Sequence, residues 1–171
     1  MKKVMLFAAL LLLLSGCGRS SWETISDPPS AVAVSSWTEP VETIAVQVPD
    51  EAKLLETMGT WCIYATDAGD LEIETRTVLA SSLDSAVCAL SGFRANDLDI
   101  LNLQNGDKND YRFAWVTSSD EGNRVCQARV IQNGTLWHAV VCSVAEEAGN
   151  VYKDQIRDVF ATAYICSGEG V

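Results

Sequence analysis

Six cysteines and one histidine are the side chains of this 171-residue sequence best suited to chemistry. Cys17 stands near the N-terminus, and Cys62, Cys88, Cys126, Cys142 and Cys166 are spread over the remainder. A zinc site needs several Cys or His ligands at short spacing. With no CxxC and His138 as the sole imidazole, no metal is expected. A thiol nucleophile needs a base within hydrogen-bond reach. Cys142 shares a strand face with His138 but lies about 13 Å away at roughly 3.3 Å per residue, too far for proton transfer. In an oxidising compartment Cys62, Cys88, Cys126, Cys142 and Cys166 can form disulfides of open pairing, and their odd number leaves at least one thiol free. Buried thiols serve equally well as small hydrophobes.

Acidic side chains offer less. Asp107, Asn109 and Asp110 share one turn, and Asp67 lies near Asp70. Neither set has the ligand complement of a calcium loop, and turns favour Asp and Asn for backbone reasons alone. The sequence has no GxSxG, no phosphate-binding glycine loop and no carboxylate pair with a mechanism behind it. No cofactor is expected, and a catalytic role is not the favoured reading.

The N-terminal residues are more specific. Met1-Lys2-Lys3 precedes an apolar run from Val4 to Leu14, which ends in Leu14-Ser15-Gly16-Cys17. A charged start, a short apolar stretch and a small-residue cleavage site make the layout of a secretory signal. The run is too short to cross a bilayer, which takes about 20 apolar residues. Leu14-Ser15-Gly16-Cys17 resembles the lipobox of bacterial lipoproteins. That resemblance implies cleavage before Cys17 and a diacylglycerol on its thiol, which would hold the mature chain to the outside of a bacterial cell membrane. Each buried CH2 is worth about 0.8 kcal/mol and a single chain anchors only marginally, so two acyl chains matter. Gly18 to Pro40 is rich in Ser, Thr, Pro and small residues and reads as a flexible linker. The expected organisation is a signal peptide over 1–16, a lipidated cysteine and linker over 17–40, and a folded domain over 41–171.

Of the 12 basic residues, Lys2 and Lys3 leave with the signal, so 10 remain against 23 acidic ones, a formal charge of −13. Such a surface repels phosphates, which argues against a nucleic-acid partner and against electrostatic attraction to anionic lipid headgroups.

After Pro40 the apolar residues alternate. Ile44, Val46 and Val48 share one face of a first strand, residues 59–66 suit a second, and Leu71 to Leu79 form a third, joined to the second as a hairpin. Ser81 to Phe93 reads as a helix. Ser81-x-x-Asp84 caps it, Leu83, Ala86, Val87 and Leu90 form its apolar stripe, and Gly92 suits the left-handed position that ends it. Cys88 falls opposite that stripe. Strands near 98–103, 111–118, 123–132 and 135–145 follow, joined by turns short enough for antiparallel neighbours only. Asn133-Gly134 fits a two-residue type I′ turn. In that register Ala128 faces Ala139 and Cys126 faces Val141. One face then carries Cys126, Ala128, Val130, Trp137, Ala139 and Val141, and the other carries Arg129, Ile131, His138, Val140 and Cys142. A last helix from Asn150 to Cys166 turns Tyr152, Ile156, Val159, Phe160 and Ala163 inward. This order predicts an α+β domain, one antiparallel β-sheet of about six or seven strands covered by two helices.

Ile44-Ala45-Val46-Gln47-Val48-Pro49, the Ser81 to Phe93 helix, Tyr111-Arg112-Phe113-Ala114-Trp115, Val130 to Trp137 and the closing helix are together similar to the PsbP-like fold. That group includes extrinsic proteins of photosystem II and many bacterial lipoproteins. The likeness spans residues 41–167 and is one of layout and hydrophobic pattern. It implies a binding or assembly module and no shared catalytic residues. The expectation is an extracytoplasmic module, tied to the membrane through the lipid on Cys17, that engages a protein or small-molecule partner through a sheet face or a groove beside a helix. Tyr111, Trp115 and Trp61 are the candidates for an exposed aromatic patch. The alternatives are an envelope thiol or redox enzyme, which needs a pocketed cysteine beside a basic group, and a purely structural envelope component.

Overall fold

The computed structural model describes residues 41–104, 107–120 and 122–168. The signal segment, Cys17 and the linker lie outside them. Strands β1 (Val41–Ala45), β2 (Ala52–Met58), β3 (Trp61–Thr66) and β4 (Leu71–Leu79) lead into helix α1 (Leu83–Ser91). Strands β5 (Leu101–Asn102), β6 (Asp110–Ser119), β7 (Gly122–Asn133) and β8 (Leu136–Ala145) follow, then helix α2 (Lys153–Thr162) and strand β9 (Tyr164–Gly168). Seven strands form one antiparallel sheet in the order β2-β3-β4-β8-β7-β6-β5, and β1 pairs separately with β9. No helix among the described residues is long and apolar enough to cross a membrane.

Strict alternation along β4, β7 and β8 gives this sheet two buried faces, one helix on each. On the α1 face, Phe113, Trp115, Cys126, Ala128, Val130 and Trp137 pack against Ala86, Val87 and Leu90. On the α2 face, Leu71, Ile73, Val140, Cys142 and Val144 pack against Ile156, Val159 and Phe160, with Ile44 of β1 beside them. Each large apolar side chain fully buried this way stabilises the fold by roughly 1.5–3 kcal/mol. The fold is therefore the expected sheet between two helices.

Neither helix has a basic residue in its last turn. The terminal carbonyls of a helix lack intrahelical donors and carry partial negative charge, so they need a donor from elsewhere. The sheet supplies it twice. Arg76 of β4 donates to Ala89 O at 3.0 Å and Leu90 O at 3.2 Å. Arg129 of β7 donates to Phe160 O and, at 3.2 Å, to Ala163 O. Each guanidinium thus ties a helix end to the strand beneath it.

Several boundaries differ from the sequence expectation. The strand β2 forms where the sequence pattern marks no element, because its pairing with β3 shifts register between Leu54 and Glu56 and breaks the alternation that marks a strand. The cap of α1 is Ser82, one residue past Ser81, its hydroxyl accepting from Ser85 N at 3.2 Å. Gly92 takes the left-handed conformation, φ 78°, as expected. The strand expected near 98–103 is only Leu101–Asn102. The final helix begins at Lys153 and stops at Thr162, and Ala163 turns to extended geometry, so Cys166 lies on β9 opposite Thr43. At the β7–β8 turn the loop is Gly134-Thr135, with Asn133 opposite Leu136 and Ala128 opposite Val141. Gly134, at φ 63°, is its one residue with positive φ, which fits a type II′ turn with glycine first. This register moves each partner by two residues, and since side chains alternate with period two, every residue keeps its expected face.

Candidate functional site

Helix α2 lies over β4 and β8 but leaves the β6 side of its face open, where Ala114 is exposed and Val116 is 53% exposed. Between the helix and that side runs a groove of about 510 Å³. Val125, Gln127 and Val144 line it from the sheet, and Ile156 and Phe160 from the helix. Arg112 on β6 and Lys153 and Arg157 on α2 stand around this apolar floor, with Asp154 as the lone carboxylate in the lining.

The three cations are not equivalent. Arg157 is matched by Asp154 at 2.8 Å and Asp158 at 3.1 Å. The Arg112 guanidinium lies over the Phe160 ring, 5.5 Å from its centroid, and its buried Nε has no hydrogen-bond partner. Neither Arg112 nor Lys153 meets a carboxylate among the described residues. The groove therefore offers an apolar surface with two unmatched positive charges in a chain of net charge −11. A second groove, about 400 Å³, runs along the other flank of α2 between Gln47–Asp50 and Asp158–Thr162, and its charged residues, Asp50 and Asp158, are both acidic.

What fixes α2 over the sheet is the Arg129–Asp110 pair, only 8% and 3% exposed. Asp110 accepts from Nη2 at 2.7 Å and from Nε at 3.1 and 3.2 Å. Asp110, expected in a turn, instead begins β6 and pairs with Arg129. A charge flanked by the apolar residues of a buried strand requires a partner, and that was the available signal. Of the other turn residues, Asp67 meets Lys53 at 2.7 Å, and Asn109 donates to Gln132 at 2.9 Å.

The cysteines do not form a common site. All five described ones are free thiols. Cys142 lies in the α2-face core, where burial pushes its pKa up to about 12, and Cys126 is buried on the opposite face. Cys88 is exposed on α1, as expected. The Cys166 thiol contacts Thr43 Oγ1 at 3.1 Å. Cys62 lines a small hollow with Thr60, Tyr64 and Thr75. That lining contains no cation, and the neighbouring Tyr64 phenol has its pKa raised by burial and by Cys62 itself. The arrangement does not supply the base that thiol chemistry needs.

His138 is fully buried, with Nδ1 3.0 Å from Thr77 Oγ1 and Nε2 3.4 Å from Glu42 Oε2. Hydroxyl, imidazole and carboxylate stand in the order of a hydrolytic triad, but no substrate reaches a ring with zero exposure. The contacts instead hold β1 to the sheet, helped by Asn133 Nδ2 donating to Glu42 at 2.7 Å. Two of the expected aromatic candidates are also structural: Trp115 is buried and stacked on Phe113, and half-buried Tyr111 stacks on Trp137. Trp61 is half-buried on β3. Exposed apolar side chains occur instead on β2, at Leu54, Leu55 and Met58.

Among solved structures, the solution structure of cyanobacterial PsbP from Synechocystis superposes with a TM-score of 0.52 at 10% identity, covering 77% of this chain and 96% of that one. The fold is PsbP-like. A second match is the crystal structure of LpqN of Mycobacterium tuberculosis, described as involved in cell envelope biogenesis, with a TM-score of 0.51 at 12% identity over 75% of this chain and 87% of that one. At these identities the PsbP-like likeness is one of fold. No protein-family model matches the sequence, and a search of curated proteins finds no match.

Proposed function

We propose that this chain is an extracytoplasmic binding module, held at a bacterial membrane by the lipid on Cys17, that takes its partner in the groove between α2 and β6. The observation that carries this reading is the pair of unmatched cations, Arg112 and Lys153, above an apolar floor in an acidic molecule. The export signal and lipobox-like residues support the location, and the LpqN structure, described as involved in envelope biogenesis, is compatible with it.

Two measurements test the reading. A palmitate analogue fed to cells should tag the wild-type chain and leave Cys17→Ala untagged; equal tagging of both, or of neither, removes the anchor. A photoreactive side chain placed at Gln127 in the groove should crosslink a defined partner that the same group at Cys88, on exposed α1, does not. Equal capture from both positions would remove the groove.

A further inference from the structure

Because the groove combines an apolar floor with a localised positive charge, we propose that its ligand is a single-chain amphiphile with an anionic head, a carboxylate or phosphate on an alkyl body. The inference rests on the groove reading above and names what the groove takes.

The geometry separates the two halves of such a ligand. Arg112 and Lys153 come from opposite walls, strand and helix, so a ligand in the groove has a cation on each side. The Arg112 guanidinium is already held over Phe160, which limits the side-chain freedom lost on binding. A charge-assisted hydrogen bond is about twice as strong as a neutral one. The apolar half has its own path. Residues 112, 114 and 116 of β6 point to the same face, and pairing sets Ala114 beside Gln127 and Val116 beside Val125. Ala114 and Val116 are exposed and continue the floor outward from Arg112. An alkyl body laid along this strip covers them while its head stays against the groove's cations.

The charge pattern narrows the choice further. The opposite flank of α2 is acidic, so the groove on the β6 side is the flank that suits an anion. An uncharged chain would leave Arg112 and Lys153 without a counter-charge under the bound ligand, and a free phosphate would leave the apolar floor uncovered. Neither alone uses both features. A volume of about 510 Å³ falls within the range of small-molecule sites, roughly 300–1,000 Å³.

The test titrates the purified full chain, by calorimetry and by amide chemical-shift mapping, with decanoate, decyl phosphate, decyl maltoside and inorganic phosphate, each below its micelle-forming concentration. Decanoate and decyl phosphate should bind with shifts centred on Arg112, Gln127 and Lys153. Decyl maltoside and inorganic phosphate should each bind at least about tenfold more weakly, the scale set by losing charge-assisted contacts in one case and chain burial in the other. Lys153→Gln, a change at an exposed helix position that leaves the core intact, should weaken both anionic probes several-fold, and adding Arg112→Gln should weaken them further. Lys108→Gln, a cation outside the groove, should not. Equal binding of decyl maltoside, shifts centred away from the groove, or binding to anionic vesicles with none to the monomeric probes would each overturn the proposal. If no amphiphile binds while Gln127 still crosslinks a protein partner, the ligand class fails and the groove reading survives.

Discussion

Removing the Asp110 carboxylate is the sharpest test of how this fold holds its groove. In Asp110→Ala the Arg129 guanidinium loses three contacts at 2.7–3.2 Å while its bonds to Phe160 O and Ala163 O keep it in place. A charge so held cannot swing to water. With the pair only 8% and 3% exposed, stranding one member should cost about 3–5 kcal/mol, a large share of a domain stability of roughly 5–15 kcal/mol. At a urea slope of about 2 kcal/mol per molar, the midpoint should fall by roughly 1.5–2.5 M with the slope unchanged. The double variant Asp110→Leu with Arg129→Met should recover part of this. It removes the stranded charge but leaves the Phe160 and Ala163 carbonyls without a donor, at about 1–3 kcal/mol for a buried unsatisfied group. A loss below about 1 kcal/mol in Asp110→Ala, the scale of a surface ion pair, would refute the reasoning. So would a double variant no more stable than the single one.

Other perturbations separate the remaining features. Burial holds the His138 pKa below its usual value, with Glu42 opposing in part. The unfolded chain therefore takes up this proton first, near pH 6.5, so stability should decline as pH falls through 6.5 toward the folded value. Melting temperatures from pH 8 to 5 should show that decline, and a His138→Gln variant should lose its share. Cys142, its pKa pushed up to about 12 by burial, holds roughly one thiolate in ten thousand at pH 8. Iodoacetamide should modify exposed Cys88 within minutes and Cys142 only on unfolding, as peptide mass spectrometry would show. Gly92→Ala, at φ 78°, should cost about 1–2 kcal/mol in urea denaturation through left-handed strain.

Legibility in the sequence followed the range of the interaction that decides each element. The face of every β7 and β8 residue was readable because alternation is local, and it survived a turn assignment displaced by one residue. The opposite orientations of Cys126 and Cys142 followed from the same parity. Strand β2 was hidden because Leu54 and Leu55 are consecutive and its bulge breaks the period. Strand β9 was hidden because no glycine or proline stands between Thr162 and Cys166 to stop the helix. Pairing with β1, more than a hundred residues earlier, decides that end. The groove was least readable of all, since Arg112 and Lys153 lie far apart in the chain and line one groove only once α2 folds across the sheet.

The disposition of the basic residues gives the groove its weight. Of the basic side chains among the described residues, Arg76 and Arg129 close helix ends, Arg124 bonds Ser143 and Gly69 O, Lys53 meets Asp67, and Arg157 meets Asp154 and Asp158. That leaves Arg94, Lys108, Arg112 and Lys153, and two of these four line one groove. An anionic ligand approaching it first meets the repulsive field of a chain of charge −11 and feels the two cations only at close range. Screening sets in within about 10 Å at 0.1 M salt, so moderate salt should weaken the long-range repulsion before it weakens the short contacts. Association of decyl phosphate should accordingly accelerate between about 10 and 100 mM salt. A basic surface patch would give the reverse slope, and observing that reverse slope in stopped-flow measurements would mean that the ligand is steered by something other than these two cations.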